Sequence, residues 1–458
     1  MNLQQLSAHM QGAILQGNPR LRFRRFNIDS RLTESGELFF AIQSQRDGHD
    51  FVPDAVRKGA TGAVISHDVL PLPPTTALVR VENTLTALQD LAKQVYAGIR
   101  PRVVGITGSV GKTTTKEFTA ELLAARHSVL KSEGNFNNHL GLPLTLLRLE
   151  EHHTTAVLEY AMSAPGEIAE LTRIVPPDVA VITNVKPVHL EFFSGIDAIA
   201  KAKQELLEGA SHPATAILNF DDPRVREMAA GWKGRILFFG LSQDCAVRAE
   251  NIRFLGWEGI SFDLVYPEER RPIRLPFFSR GQLYNFLAAA AVASVFEIPG
   301  QAVADIAGQL HAFDKRGRVY VLDRHIRIID DSYNSNPAAL EEALKSLGRL
   351  PARRGRKVAV LGDMLELGEA ETGYHRQAGE LAARTEIDLL IAVGPRSRHM
   401  ATEAIAAGMD SERVLYFDDS LEAAEHLPAL LREGDVWLIK GSRGVHMDVI
   451  VKKLKERV

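Results

Sequence analysis

Residues 105–115 read Gly-Ile-Thr-Gly-Ser-Val-Gly-Lys-Thr-Thr-Thr, and the patterns on either side of them decide the fold of the central part of the chain. The apolar run over 102–106 predicts a buried strand, and apolar residues at helical spacing predict a helix over 113–125. A glycine-rich loop between a strand and a helix that opens with Lys-Thr is the setting of a nucleotide phosphate loop. The sequence therefore predicts an ATP site, although Ile106 stands where the strict pattern has its first glycine. The alternative is a glycine turn before an ordinary helix.

Each part of this loop has a chemical role in the prediction. The backbone N–H groups of such a loop converge on an anion, and the helix N-terminus adds partial positive charge. Lys112 is predicted to reach the β- and γ-phosphates, and the Thr113 hydroxyl to ligate Mg²⁺. The predicted nucleotide-binding residues of the loop are Gly108, Ser109, Gly111, Lys112, Thr113 and Thr114.

The length and composition argue against several classes of protein. A chain of 458 residues is too long for one core, so two or three domains are expected. A net charge of −3 does not indicate a nucleic-acid or membrane partner, and no apolar run is long enough to span a bilayer. The single cysteine, Cys245, excludes an intrachain disulfide framework, and the first residues lack a signal-peptide pattern. We expect a cytoplasmic monomer.

Strands and helices alternate in an order that predicts an α/β fold in three domains. Residues 1–98 are predicted to form a small mixed α/β domain, 99–313 a central P-loop domain with a parallel sheet, and 314–458 a second α/β unit of ordinary domain size. Within the central domain, 234–276 read as a β-rich insertion, followed by a small-residue helix over 286–295.

Polar residues follow the predicted central strands, at the sheet edge where α/β proteins place their sites. Glu159 follows the strand over 155–158, and a carboxylate beside a phosphate loop is well placed for Mg²⁺. The alternative for Glu159 is a surface carboxylate. His189 follows the strand over 179–183, but a lone histidine is more often structural or simply exposed.

Two further features have both a structural and a functional interpretation. Asn135, Asn137 and Asn138 lie between glycines, which is typical of a turn, although their donors and acceptors also suit a polar ligand. Lys203 lies off the apolar side of the helix predicted over 196–207. Periodicity alone therefore places Lys203 on the solvated face.

The outer domains contain polar clusters at predicted strand ends. In the third domain, polar or glycine-rich stretches at 330–337, 362–368 and 440–444 each follow a strand, and together they predict a second ligand-binding edge. In the first domain, polar clusters at 27–31 and 46–51 flank a strand predicted over 36–42. Composition alone favours solvated turns over a ligand rim for those two clusters.

Taken in order, these motifs make the chain similar to the Mur ligases of bacterial cell-wall synthesis over essentially its whole length. The resemblance rests on the phosphate loop, GNFNN at 134–138, Asn184 with HLE at 189–191, AK at 202–203, DSYNSNP at 331–337, GDMLELG at 362–368 and KGSR at 440–443. It implies a UDP-sugar-peptide-binding domain, a central ATPase and a Rossmann-like ligase domain. Within the family, DSYN and GDMLELG favour the members that use ATP and Mg²⁺ to join D-alanyl-D-alanine to UDP-N-acetylmuramoyl-tripeptide.

The resemblance also implies roles for individual residues. Glu159, His189 and a carbamylated Lys203 would ligate metal with Thr113, and Lys112, Lys203 and His189 would serve catalysis. Asn285 matches an adenine contact, and Arg318 and Asp331 match residues that reach the nucleotide from the third domain. The implied substrate contacts are Ser30, Arg31, Asp47, His49, Asn135, Asn137, Asn138, Asn334 and Asn336.

The sequence departs from the family pattern at two places and leaves alternatives open. Ser-Arg-Gly-Gln at 279–282 replaces the usual G-x-H-N before the adenine asparagine, and Ala161 replaces a glycine after the metal glutamate. The alternative functions are a sister ligase that adds one amino acid, and a P-loop ATPase or phosphotransferase without ligase activity. The third residue of the acceptor peptide, diaminopimelate or lysine, and the base that deprotonates the amine stay open.

Overall fold

The computed structural model describes residues 1–267, 269–352 and 354–456. Within those residues there are three sheets, and each takes its strands from one continuous stretch of the chain. This arrangement confirms the predicted α/β class. The domain limits at residues 98 and 313 stay predictions.

The first sheet has five strands in the order β1-β5-β4-β3-β2, with β1 antiparallel to β5 and the other pairs parallel. Its strands are β1 (Ala13–Gln16), β2 (Phe26–Asn27), β3 (Leu38–Phe40), β4 (Gly62–Ile65) and β5 (Ala77–Arg80). The helices of this stretch are α1 (Leu3–His9), α2 (Val52–Lys58) and α3 (Thr84–Ile99). The strand predicted over 36–42 is shorter than expected, because the chain turns on both sides of β3.

The central sheet has nine strands in the order β14-β13-β12-β11-β10-β9-β6-β8-β7. They are β6 (Arg102–Thr107), β7 (Val129–Lys131), β8 (Thr155–Glu159), β9 (Val179–Ile182), β10 (Thr215–Asn219), β11 (Arg235–Gly240), β12 (Val247–Phe254), β13 (Ile260–Tyr266) and β14 (Glu269–Leu275). The helices are α4 (Lys112–Leu123), α5 (Gly141–Leu146), α6 (Glu167–Ile174), α7 (Ile196–Glu208), α8 (Pro223–Glu227), α9 (Arg280–Val295) and α10 (Gly300–Ala307).

Strand β6 lies in the middle of this sheet and is covered on both faces. Val103 packs into a core shared with the first domain, while Val104 and Ile106 point to the opposite face and pack with α4 and α9. Burial on both faces explains why the strand reads as a continuous apolar run rather than as an alternating pattern. The phosphate loop that follows β6 therefore starts from a rigid position.

Two expectations for the central domain were wrong in detail. The stretch 234–276 is not a separate insertion, because β12, β13 and β14 extend the central sheet, with β12–β13 and β13–β14 pairing antiparallel. The helix predicted from residue 286 begins at Arg280, where the Ser279 side chain accepts a hydrogen bond from the Gly281 N–H and caps the helix. All residues of α9 from Phe286 to Ala293 are buried.

The third sheet has six strands in the order β15-β16-β20-β17-β18-β19, and only β15 is antiparallel to its neighbour. Its strands are β15 (Arg318–Val321), β16 (Arg327–Asp331), β17 (Lys357–Gly362), β18 (Leu389–Val393), β19 (Val414–Phe417) and β20 (Val436–Lys440). The helices are α11 (Pro337–Arg349), α12 (Glu371–Arg384), α13 (Ser397–Ala406), α14 (Ser420–His426) and α15 (Asp448–Glu456).

The carboxyl ends of strands in the second and third sheets line one cleft of about 800 Å³. Residues of the phosphate loop and of the stretch after β9 form one side, and residues that follow β16, β17 and β20 form the other. The cleft lies where parallel α/β sheets place their ligands. None of the helices in the described parts of the chain has both the length and the apolar character that crossing a membrane requires.

Candidate active site

The loop between β6 and α4 adopts a backbone conformation that favours glycine at two positions. Gly108 has a φ of 149° and Gly111 a φ of 88°, and a Cβ on Gly108 would lie 1.9 Å from the Thr183 hydroxyl. Asn184 braces the loop from the end of β9, since its Oδ1 accepts from the Val110 N–H at 2.9 Å and its Nδ2 donates to the Val110 carbonyl. The loop and the N-terminus of α4 thus form a fixed cradle that suits a phosphate group.

Lys112 opens α4 and lines the cleft. Its Nζ donates to the carbonyl oxygens of Gly108 at 2.8 Å and Ser109 at 3.4 Å. Desolvation has the largest effect on the pKa of Lys112 and lowers it, while the charge of Glu159 opposes that shift and the charge of Arg316 adds to it. The ammonium group therefore lies beside the loop that is predicted to hold phosphate.

Glu159 ends β8, and its carboxylate lies between the phosphate loop and a loop that we call the asparagine loop, residues 133–138. The residue is 2 % exposed. Its Oε2 accepts from the Thr113 hydroxyl at 2.8 Å, and its Oε1 accepts from Asn137 Nδ2 at 2.9 Å. Carboxylate and hydroxyl oxygens are ligands that Mg²⁺ prefers. The chemistry of these donors fits the predicted magnesium site.

Lys203 is buried, so its predicted place on the solvated face of α7 was wrong. The residue is 2 % exposed and is one of the buried residues of the helix, with Ile199, Ala202, Leu206 and Leu207. The hydrophobic pattern assigned it to solvent because a lysine counts as polar whichever way its stem points. Burial lowers the pKa of Lys203 well below its usual value, and the nearby Lys112 charge adds to the shift. A lowered pKa favours the free amine that carbamate formation needs, and the carbamate itself stays a prediction.

His189 lines the cleft and contacts the third domain. It has a φ of 54°, and its Nδ1 lies 2.5 Å from Oε2 of Glu366, in the loop after β17. The Glu191 N–H also donates to the Glu366 carbonyl at 3.3 Å. The hydrogen bond with His189 is the main cause of a lowered pKa of Glu366. These contacts hold two of the predicted site loops against each other across the cleft.

The predicted nucleotide residues outside the phosphate loop divide into two groups. Asn285 lies against the loop, where a Cβ on Gly111 would come within 2.1 Å of its Oδ1, and Asp331 lines the cleft with its carboxylate 2.6 Å from Lys440 Nζ. Arg318 is different, because it is exposed, pairs with Asp314 at 3.7 Å and is not among the cleft residues. Arg316 lines the cleft instead, and its guanidinium lies 4.0 Å from the centre of the Tyr333 ring.

Asn334 and Asn336 line the cleft on the side of the third domain. The Oδ1 of Asn334 accepts from the Ser335 N–H, and the Oδ1 of Asn336 caps α11 by accepting from the Ala339 N–H at 2.9 Å. Lys440 Nζ donates to the Asn334 carbonyl at 3.0 Å. Both amide side chains are thus oriented by local hydrogen bonds.

The three predicted residues of the asparagine loop differ in their surroundings. Asn135 and Asn137 line the cleft, and Asn137 is held by Glu159. Asn138 is not among the cleft residues, because its Oδ1 accepts from the Leu140 and Gly141 N–H groups at the start of α5. The turn interpretation of the sequence therefore describes Asn138, and the ligand interpretation is compatible with the other two.

The predicted first-domain residues lie outside this cleft. Asp47 Oδ1 lies 2.6 Å from His49 Nδ1, and Asp47 Oδ2 lies 2.9 Å from His67 Nε2. His49 is 4 % exposed, and its Nε2 accepts from the Ser66 N–H, so its Nδ1 carries the proton that Asp47 accepts. Asp47, His49 and His67 each have an atom that could ligate a metal ion, and these atoms lie within 4.8 Å of one another. The hydrogen bonds just described already use these groups.

Ser30 and Arg31 occupy a short helical turn of the first domain. Ser30 is buried, and the exposed Arg31 forms an ion pair with Asp29 at 2.7 Å. Asp29 also caps this turn by accepting from the Arg31 N–H. Contacts of Ser30, Arg31, Asp47 and His49 with a UDP-sugar stay predictions, and the contacts described here are within the first domain.

Several cleft residues were not singled out from the sequence as site residues. Arg316 stands two residues before Arg318 in Lys-Arg-Gly-Arg, and nothing in that run indicates which arginine faces the cleft. Glu366 and Lys440 lie in motifs that were recognised, but their partners come from other parts of the chain. Tyr284 donates to Asp221 Oδ2 at 2.9 Å, which pairs two residues 63 positions apart. Only the tertiary structure brings such residues together.

The geometry defines a P-loop protein in which the phosphate loop faces the carboxyl edge of a second α/β sheet. Family models agree with this class. A model described as the Mur ligase middle domain matches residues 106–293, and one described as the Mur ligase, glutamate ligase domain matches residues 316–443. The chain belongs to the Mur ligase family, and it is an ATP-dependent ligase.

Relatives and solved structures extend the similarity to nearly the whole chain. The UDP-N-acetylmuramoyl-tripeptide–D-alanyl-D-alanine ligases of Bacillus subtilis and Escherichia coli are each 33 % identical to this chain. Each alignment covers 93 % of this chain, and it covers 92 % of the Bacillus subtilis enzyme and 93 % of the Escherichia coli enzyme. A crystal structure of MurF from Acinetobacter baumannii has a TM-score of 0.88 at 30 % identity, covering 99 % of this chain and 98 % of its own. The structure of MurF from Thermotoga maritima in complex with ADP has a TM-score of 0.81 at 31 % identity, covering 95 % of this chain and 97 % of its own.

Proposed function

We propose that this enzyme joins D-alanyl-D-alanine to UDP-N-acetylmuramoyl-tripeptide in peptidoglycan synthesis, with conversion of ATP to ADP and phosphate. One observation carries the proposal. The phosphate loop and Glu159 face the Asn334–Asn336 and Leu365–Leu367 segments across a single cleft, in a chain whose relatives named for this reaction match 93 % of its length. The cleft thus offers a surface for phosphate on one side and a polar surface for the dipeptide on the other.

The first step activates a carboxylate of the UDP-sugar peptide. A carboxylate is a poor electrophile, so one of its oxygens attacks the γ-phosphorus of ATP, and the bond from that phosphorus to the bridging oxygen breaks. The products of this step are an acyl phosphate and ADP. The Lys112 ammonium and the loop N–H groups would stabilise the negative charge that develops on the transferred group.

The second step forms the amide bond. The unprotonated amine of the dipeptide attacks the acyl carbon, and the tetrahedral species that results loses inorganic phosphate and a proton. Water would hydrolyse an acyl phosphate, so the two sides of the cleft must exclude it. The contacts of His189 and Glu191 with Glu366 join the two sides of the cleft.

Magnesium is part of the proposal. Thr113, Glu159, His189 and a carbamylated Lys203 would hold the metal, which would supply positive charge beside the phosphoryl oxygens. Two observations support this set. The Thr113 hydroxyl oxygen lies 2.8 Å from the Glu159 carboxylate, and the Lys203 amine is buried. The nucleotide would also contact Asn285 and Asp331, and Arg316 lies in the cleft where Arg318 was expected.

We assign the choice of the incoming amine, the dipeptide, to residues of the third domain. Asn334 and Asn336 offer amide groups to a dipeptide backbone and carboxylate, and Leu365 offers apolar surface for its methyl groups, whereas Leu367 is 1 % exposed and packs in the core. A single free amino acid would leave some of these polar groups unpaired, at about 1–3 kcal/mol for each buried group.

The test measures ADP release with UDP-N-acetylmuramoyl-tripeptide and a panel of amines. D-alanyl-D-alanine should support rapid release, while free D-alanine and L-lysine should support it far more weakly. Extension of a UDP-sugar dipeptide by one diamino acid would instead identify a sister ligase. ADP release that does not depend on any amine would indicate a plain ATPase.

A further inference from the structure

Lys116 is a buried lysine in the core of the central domain, four residues after Lys112 on α4. Its relative exposure is 0 %. The Nζ atom donates to the carbonyl oxygen of Ser132 at 2.5 Å and lies 2.8 Å from the Glu117 carboxylate. A buried ammonium group is unfavourable unless it is paired and hydrogen-bonded, so this arrangement is a specific feature of the fold.

Ser132 is the residue at which β7 passes into the asparagine loop. It is 1 % exposed, its N–H donates to the Val157 carbonyl at 3.1 Å, and its hydroxyl accepts from the Glu159 N–H at 3.3 Å. Lys116 therefore holds the beginning of the asparagine loop, while Glu159 holds Asn137 further along it. Both ends of this short loop are fixed to groups around the phosphate loop.

The second partner of Glu117 provides a useful comparison. Lys131, at the end of β7, also forms an ion pair with Glu117, but its side chain is 39 % exposed. Burial acts to raise the pKa of Glu117, and the hydrogen bonds and charges of the two lysines outweigh burial and lower it. Both lysines thus pair with the Glu117 carboxylate, but of the two only Lys116 also donates a hydrogen bond to Ser132.

We propose that Lys116 is a positioning residue that sets the asparagine loop relative to the phosphate loop, and that it thereby orients Asn135 and Asn137 toward the UDP-sugar peptide. Thr113 and Lys116 are three residues apart on α4, so they lie on the same side of the helix. One helix therefore places Glu159 through Thr113 and the asparagine loop through Lys116. Lys116 itself is not among the cleft residues.

The test compares Lys116→Met with Lys131→Met in the full-length protein. Each variant removes one partner of Glu117 and leaves the other, but only the first removes the hydrogen bond to Ser132. Hydrogen–deuterium exchange of the ligand-free protein should accelerate about tenfold or more at residues 132–138 in Lys116→Met, and less than about twofold in Lys131→Met. Lys116→Arg, which keeps a charged donor, should recover most of the protection.

Kinetics provide the second measurement, and this part rests on the proposed function. Lys116→Met should raise KM for UDP-N-acetylmuramoyl-tripeptide about tenfold, with KM for ATP changed less than about twofold, because the phosphate loop keeps its own contacts. If Lys116→Met does not fold, the neutral double variant Lys116→Met/Glu117→Gln replaces it with the same expectations.

Unchanged exchange at 132–138 in a folded Lys116 variant would overturn the proposal, as would equal acceleration in both lysine variants. A rise in KM for ATP alone would also overturn it. The exchange experiment needs no substrate, so it remains decisive if the wild-type enzyme does not use D-alanyl-D-alanine. Failure of the proposed function and failure of this inference are therefore separate results.

Discussion

Replacing Glu159 by glutamine removes one negative charge from the candidate metal site while nearly preserving the shape of the side chain. The carboxylate accepts from Thr113 and Asn137, and it is 2 % exposed. In Glu159→Gln, the amide oxygen can still accept from Asn137, and the amide nitrogen can donate to the Thr113 hydroxyl oxygen. The variant should therefore keep the local packing and lose the charge.

The expected effect on stability differs between glutamine and alanine. Glu159→Ala removes two charge-assisted hydrogen bonds from partly buried groups, and at about 1.5–3 kcal/mol each the free energy of unfolding should fall by roughly 3–6 kcal/mol. Glu159→Gln exchanges two charge-assisted hydrogen bonds for neutral ones, so we expect a loss below about 2 kcal/mol. Urea denaturation measures both values, and the glutamine variant is the one suited to kinetics.

The expected effect of Glu159→Gln on turnover is large. A ligand that acts on charge developed during phosphoryl transfer contributes about 10²-fold or more, so ADP release should fall by at least that factor. The matched control is Glu170→Gln, at an exposed position of α6. ADP release by a folded Glu159→Gln enzyme at a rate close to that of the control would refute the role assigned to this carboxylate.

Two further predictions concern buried charged groups. Lys203→Ala should reduce turnover at least about 10²-fold, because a metal ligand would be lost, and small carboxylates should partly restore it; a ligand-bound structure with an unmodified Lys203 away from any metal would contradict the carbamate. Asp435 is fully buried and accepts from the N–H and Nη2 of Arg356, at 2.8 and 2.7 Å, and from Trp437 Nε1 at 3.2 Å. Asp435→Ala should therefore lower the free energy of unfolding by about 3–5 kcal/mol in urea denaturation, while the exposed Glu433→Ala should leave it nearly unchanged; equal stability of the two variants would contradict this account.

Local patterns in the sequence predicted much of the fold, because the strands β6, β8, β9 and β10 are apolar runs followed by polar or glycine-rich residues. The phosphate loop and Glu159 were predicted in the same way, since each directly follows or ends an apolar strand. The direction of a long side chain could not be predicted from periodicity, and Lys203 was therefore wrongly predicted to lie on the solvated face. The same limitation hid Arg316, because adjacent basic residues in a turn are equivalent until the third sheet fixes which one faces the cleft.

Contacts between distant segments were beyond the reach of sequence patterns for a different reason. The contact between His189 Nδ1 and Glu366 Oε2, at 2.5 Å, joins loops of two domains. It depends on the relative position of two sheets. The β-rich stretch after β11 is a similar case, because alternation predicts strands but does not indicate which sheet they join. Its pairing with the central sheet follows from the hydrogen-bonding edge that β11 leaves open.

The alanine-rich helix α9 limits how the nucleotide site can change during evolution. Ala288 to Ala291 are all fully buried, and the helix packs against α4, which carries the phosphate loop. A larger side chain at any of these positions would have to displace α4 or one of the strands β10 to β13, which α9 also contacts, since close-packed interiors leave no room for added methylene groups. Substitutions that touch no substrate could therefore impair ATP use. In a screen for inhibitor resistance, this helix should be nearly free of mutations, whereas the exposed rim of the cleft should accept them.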